Sequence, residues 1–332
     1  MAEQVLAYTA KRASSDYDEA DIKNKLPDWQ RLAGKTKKSV IRKAVEKILK
    51  LPHSQRKMLW KAVKNDIGFY EKLDDPNFEF LYRKLPDSTK EVGNELLLRF
   101  YKILGSKAGF ANLAGQKARL NGAILESLYR EANKKCPICP ACLLERLPRP
   151  VKGISQNDRE HYFPQSIYPP LAVHPFNLTI ACIRCNQRRH SNFDPISEHK
   201  AGALLDSFLP YTRPGLDQIE LQFTPAATRG MVKLSGKPGD THAVKRARNF
   251  DQMYKLSDYW SHYLEDIDYT LRETVRFRSP TPTLADTRRV LEEMRRLDEQ
   301  TKTSEPEAFL RGQYTAWILS ERLTIWFESI TT

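Results

Sequence analysis

Apolar residues recur at intervals of three and four through most of this chain, and the pattern breaks at a small number of Pro and Gly clusters. Val40, Ile41, Ala44, Val45, Ile48 and Leu49 mark one amphipathic helix, with Ser39 at its start and Pro52 beyond its end. A second helix is expected after Ser54, and a short one carrying Phe78, Leu81, Tyr82 and Leu85 between Pro76 and Pro86. Ser88 and Glu91 have the spacing of a capping box, opening a longer helix that carries Val92, Leu96, Leu97, Phe100, Tyr101 and Leu104. A further helix from about Leu113 to Asn133 completes an all-helical N-terminal third. Residues 1 to about 34 are polar and punctuated by Ser14-Ser15-Asp16, Pro27 and Gly34, which predicts a loosely ordered arm with one short helix.

The second half reads differently at first. Gln218 to Phe223 alternates as a strand, and Met231 to Leu234 can pair with it. Helical spacing then resumes from about Val244 to Arg276, from Leu284 to Thr301, and from Pro306 to Ile330. The last of these carries Tyr314, Trp317, Ile318, Trp326 and Phe327, which makes it a core helix or a docking face.

At 332 residues the chain can bury one large core or two modest ones. No apolar run approaches the ~18 residues of a membrane span, and the N-terminus lacks a signal-peptide core, so the expected location is the cytoplasm with no membrane partner. Fifty-four basic against 41 acidic residues leave a formal charge of +13, which favours a polyanionic partner. The basic excess peaks between Lys35 and Lys64, where eleven Lys or Arg residues face one acid, Glu46. That stretch is a solvated helical surface or a phosphate-tracking one; in the second reading Lys37, Lys38, Arg42 and Lys43 are the candidate nucleic-acid contacts.

Chemistry concentrates between residues 136 and 194. Two Cys-x-x-Cys pairs, Cys136 with Cys139 and Cys182 with Cys185, have the spacing of a closed four-thiolate zinc site. One Zn²⁺ on those four would clamp the ends of the intervening segment and stand in for a small core. Cys139 and Cys142 form an alternative pair of the same spacing, and buried thiols without metal are the third option.

Between the pairs lie Glu160-His161 with Pro164 three residues on, then Asn177-Leu178, then Cys182-Ile183-Arg184-Cys185-Asn186-Gln187-Arg188-Arg189-His190. An acid before His, a central Asn-Leu and a Cys-x-x-Cys-Asn-x-x-Arg run together resemble the HNH (ββα-metal) nucleases. The fold this implies is α+β and mostly helical. It has a zinc-stabilised ββα module at about 135–200, a basic helical region at 1–134 before it, and a β-hairpin followed by helices at 201–332 after it.

The resemblance also implies roles. His161 would be the general base that activates water, for which an imidazole near its ordinary pKa is suited. Glu160 and Asn186 would hold a catalytic Mg²⁺ or Mn²⁺, with His190, four residues after Asn186, as a further ligand. Glu160 stands where the family more commonly has Asp. The side-chain carbonyl of Asn177 would accept a proton from the imidazole and fix its tautomer; the other reading of Asn177 is a loop cap. Arg184, Arg188 and Arg189 would grip flanking phosphates. The implied activity is DNA phosphodiester hydrolysis. A narrower likeness to HNH subunits of bacterial anti-phage systems of the Septu type implies a defence effector that partners an ATPase. The alternatives are a zinc-stabilised module that binds nucleic acid or a partner without cutting, and an RNase.

Overall fold

The computed structural model describes residues 2–33, 39–106, 122–132, 138–149, 151, 157–188, 193–196, 204–209, 211–213, 215–224 and 230–331. The described chain is mostly helical, with two small two-stranded sheets and a cluster of four cysteines. Among the described residues no helix is long and apolar enough to cross a membrane.

The first 33 residues are not a loose arm. They form α1 (Ala2–Lys11), α2 (Glu19–Lys25) and α3 (Trp29–Ala33). Val5 and Leu6 of α1, Ile22 of α2 and Trp29 of α3 are fully or almost fully buried. Their apolar residues are sparse, but all join one cluster with α4 (Val40–Leu49) and α5 (His53–Ile67), α1 packing on both, α3 on α4 and α2 on α3. The Asp18 side chain caps α2 by accepting from the Ala20 and Asp21 N–H groups. Ile41, Ala44, Val45, Ile48 and Leu49 of α4 are buried as their spacing predicts.

Two local expectations fail. The segment around Phe78 to Leu85 makes only a single 3₁₀ turn at Tyr82–Lys84, because its backbone is recruited by a buried carboxylate instead. Asp66 accepts from the Leu81 N–H at 2.7 Å and the Tyr82 N–H at 3.1 Å. And α6 (Asp87–Gly105) starts after Pro86 with no side-chain cap at its N-terminus, so Ser88 and Glu91 lie inside the helix rather than closing a capping box. Gly93 in the middle of α6 is required by packing, since a Cβ there would come within 2.5 Å of the Tyr82 hydroxyl. The helix expected from Leu113 is described only as α7 (Gly122–Ala132); its earlier part lies outside the described residues.

Strand β1 (Asp158–His161) pairs antiparallel with β2 (Leu178–Ala181), and α8 (Ile183–Arg188) follows directly and packs against β1. The second sheet is the expected hairpin, β3 (Ile219–Thr224) with β4 (Met231–Gly236), in a register that sets Leu221 opposite Leu234. The long helical pattern after it is two helices, α9 (Thr241–Tyr254) and α10 (Leu256–Arg278), separated at Lys255, whose φ of 50° is left-handed. The Asp251 carboxylate secures the break by accepting from the Ser257 N–H and hydroxyl, both at 2.7 Å. Helix α11 spans Leu284–Thr301 and is opened by a Thr283/Asp286 capping box. Helix α12 (Ala308–Trp317) continues through a π-helical turn into α13 (Leu323–Thr331).

Apolar burial falls into two clusters. One is built from α1 to α6; the other gathers the cysteines, most of the β1–β2 region, the second hairpin and α9 to α13. Tyr314, Ile318 and Trp326 are buried in the second cluster, so the C-terminal aromatic helix is core. Leu178 of β2 belongs to the N-terminal cluster, which ties the first sheet to both.

Candidate metal centre and the strand–strand–helix site

Cys139, Cys142, Cys182 and Cys185 are all buried, and their sulfurs lie within 4.8 Å of one another. Tetrahedral zinc with Zn–S bonds of about 2.3 Å needs sulfurs about 4 Å apart, so the set fits one ion. The first pair is therefore Cys139 with Cys142. Cys142 joins the expected Cys139, Cys182 and Cys185, while the fourth expected ligand, Cys136, lies outside the described residues.

The turn that carries the first pair explains the choice. The Cys139 N–H bonds the Glu145 carbonyl at 2.8 Å, and Leu143 N–H bonds the Cys139 carbonyl at 2.9 Å. Leu143 takes a left-handed φ of 57°, which reverses the chain immediately after Cys142. Two further groups fasten the turn from the far end of the sequence: the Trp260 indole N–H donates to the Cys142 carbonyl at 2.9 Å, and the Glu307 N–H to the Leu143 carbonyl at 3.1 Å.

Backbone N–H groups also point at sulfur. Cys182 N–H donates to Cys139 Sγ and Cys185 N–H to Cys182 Sγ, each at 3.4 Å. Such donors favour thiolate over thiol. Hydrogen bonding inside the quartet, led by Cys139, drives the Cys182 thiol far below its ordinary range and the Cys142 and Cys185 thiols far above it. A divalent cation bound by the four sulfurs would take the place of their protons.

The first sheet positions the other candidates. Register pairs Glu160 with Thr179 and His161 with Leu178. Neighbours on a strand point to opposite faces, so Arg159 and His161 share the face of Leu178 and Ile180, while Glu160 shares the other with Thr179 and Ala181. Glu160 and His161 are each 7 % exposed. One imidazole nitrogen of His161, Nε2, sits 2.9 Å from the Ala172 carbonyl. A carbonyl only accepts, so Nε2 carries a proton, and in the neutral ring Nδ1 holds the lone pair. Tyr101 of α6 packs edge-on against the same ring, with centroids 4.5 Å apart.

Asn177 is fully buried and does not serve as the imidazole's acceptor. Its Oδ1 accepts from the Phe163 N–H at 2.7 Å, and its Nδ2 donates to the Phe163 carbonyl at 3.1 Å and the Leu171 carbonyl at 3.0 Å. Both ends of the amide are used in closing the loop between β1 and β2. Orientation of His161 falls to Ala172, a backbone group that residue-type reasoning has no means to find. Asn186 lies half-buried in α8, directly after Cys185, and its N–H bonds the Cys182 carbonyl at 3.0 Å. The cysteine cluster thus sets where Asn186 sits. Among the described residues the four cysteines are the set of three or more His, Cys, Asp or Glu that converges on one point. His190 and Arg189 lie outside the described residues, as does the side chain of Arg188.

The remaining basic candidates divide. Arg184 is exposed, but its guanidinium pairs with Glu145 at 3.0 Å and donates to the Tyr263 hydroxyl oxygen at 3.0 Å. Arg42 is 6 % exposed and forms an ion pair with Glu19, which makes it an interior group of the helical cluster rather than a phosphate contact. Lys43, one residue on, is exposed. Lys37 and Lys38 lie outside the described residues. No family model, no curated protein and no solved structure matches this chain.

Proposed function

We propose that the chain is a metal-dependent nuclease of the HNH type, with Zn²⁺ held by Cys139, Cys142, Cys182 and Cys185 in a structural role. The observation that carries the reading is the order antiparallel strand, strand, helix, with Glu160-His161 ending the first strand and Asn186 on the helix beside a zinc-ready cluster. The His161 ring supports it chemically: with its Nε2 proton given to the Ala172 carbonyl, Nδ1 of the neutral imidazole takes a proton from water as the oxygen approaches phosphorus. The O3′–P bond then breaks on the opposite side, leaving a 5′-phosphate and a 3′-hydroxyl. Glu160 and Asn186 are hard oxygen donors and few in number, which suits Mg²⁺ or Mn²⁺ retaining several waters. Such a cation supplies charge neutralisation at the phosphate and the leaving oxygen. DNA is the proposed substrate, RNA the nearest alternative. A role in anti-phage defence beside an ATPase subunit rests on the family resemblance alone.

The burial of Glu160 and His161, with Tyr101 over the imidazole, favours a second reading in which the module binds nucleic acid without cutting it. A plasmid-nicking assay on EDTA-treated protein restored with Mg²⁺ or Mn²⁺ separates the two. Cutting is expected with added cation and is expected to fall by at least ~10²-fold in His161→Ala, with zinc content unchanged. A zinc-replete protein that cuts neither DNA nor RNA in either cation overturns the nuclease reading, and undiminished cutting by His161→Ala overturns the base assignment.

A further inference from the structure

A cavity of about 190 Å³ opens on the His161 side of the first sheet, and nothing so far assigned uses it. Leu178 and Ile180 form its floor, Phe176 and Tyr211 its aromatic walls, and Arg159 contributes a charged group. Leu178 is the residue directly opposite His161 in the ladder, and Arg159 lies two residues before His161 on the same face. The cavity is therefore beside the proposed general base.

Three properties narrow its occupant. Its volume is below the ~300 Å³ at which pockets for drug-sized ligands begin, and suits one planar ring. Its aromatic walls are held in place: Phe176 and Tyr211 meet edge to face at 5.6 Å, and the Tyr211 hydroxyl donates to the Leu178 carbonyl at 2.6 Å. Its charged group is unspent: the Arg159 side chain has no ion pair or hydrogen bond among the described residues, although carboxylates take up most arginines that are similarly half-buried.

We infer that this cavity takes a single unstacked nucleobase from the substrate strand, with Phe176 and Tyr211 against the base and Arg159 pairing with the adjoining phosphate. A base cannot enter from inside a regular duplex. The preferred substrate is therefore a strand with a bulged, looped or flipped nucleotide next to the scissile phosphate. This rests on the nuclease reading for its function, but base binding is measurable without cleavage.

The test uses full-length zinc-loaded protein with the catalytic cation withheld. Oligonucleotide duplexes, one set DNA and one RNA, carry 2-aminopurine either fully paired or as a single bulge. The bulged probe is expected to bind at least tenfold tighter than the paired one, with 2-aminopurine fluorescence quenched on binding. Phe176→Leu and Arg159→Gln are expected to remove most of the preference. The RNA and DNA sets tell which polymer supplies the base. Equal binding of bulged and paired probes by the wild type, or a preference that survives both substitutions, overturns the base pocket while leaving the nicking result untouched. A bulge preference in a protein that never cuts leaves the pocket standing and removes the nuclease.

Discussion

The four-cysteine cluster shows how a residue's role depends on a turn rather than on a spacing. Cys136/Cys139 and Cys139/Cys142 have the same Cys-x-x-Cys spacing, and among the described residues it is the second pair whose sulfurs lie beside Cys182 and Cys185. Cys142→Ser is accordingly expected to abolish stoichiometric zinc binding and to lower the melting temperature sharply, whereas Cys136→Ser keeps both; metal analysis after gel filtration reads the difference, and the reverse result overturns the ligand set. Arg42 and Lys43 diverge for a similar reason. They are neighbours in a basic run, but a helix turns them 100° apart, one into the core against Glu19 and one into solvent. Arg42→Gln is expected to cost stability, about 1–2 kcal/mol, by removing the buried cation of Glu19 and leaving that carboxylate only the more exposed Lys23. Lys43→Gln is expected to leave stability within about 0.5 kcal/mol and, if this helix tracks phosphates, to reduce the salt dependence of nucleic-acid binding by about one unit of slope.

Elements here are held by contacts between distant parts of the chain, and two of these have measurable consequences. The zinc turn depends on α10 through the Trp260–Cys142 hydrogen bond. Trp260→Phe keeps most of the buried ring but removes that donor, so a loss of about 1 kcal/mol and faster zinc transfer to a chromophoric chelator are expected; an unchanged transfer rate argues against the support role. His174, in the loop between β1 and β2, packs against Phe69 at 5.1 Å and Phe176 at 5.8 Å, and burial pushes its pKa from 6.5 down to about 4. The folded protein therefore resists protonating it. Its contribution is complete above about pH 6.5 and is lost as the pH falls from there to about 4, a change of about 3 kcal/mol. Denaturation at pH 7 and pH 5 is expected to show a steep fall for the wild type and a shallower one for His174→Phe, which keeps a ring against Phe69. Equal slopes refute the assignment.

For the whole molecule, the positive charge and the two core clusters belong together. The first sheet lies where the clusters meet, with Leu178 in one and Ile180 in the other. Tyr101 from α6 and Trp260 from α10 thus act on the same small region from opposite sides. With +13 overall, nucleic-acid affinity is expected to fall steeply with salt, log K against log [salt] sloping by about −0.9 for each duplex phosphate neutralised. A salt-independent affinity refutes an electrostatic contact surface.

Much of this was legible in the residues. Helices α4, α5 and α11 and the β3–β4 hairpin follow from periodicity, because each buries one continuous stripe or face. The presence of a four-thiol metal site follows from spacing. What tertiary structure decided is whatever depends on a partner far away in the chain. The polar first 33 residues become three helices because a few apolar side chains meet α4 and α5. The segment before Pro86 gives up a helix because Asp66 captures its backbone donors. Cys142 joins the quartet where a left-handed Leu143, held by Glu307, reverses the chain directly after it. And His161 is oriented by the Ala172 carbonyl rather than by Asn177, since main-chain acceptors are identical in every residue and only the fold selects one.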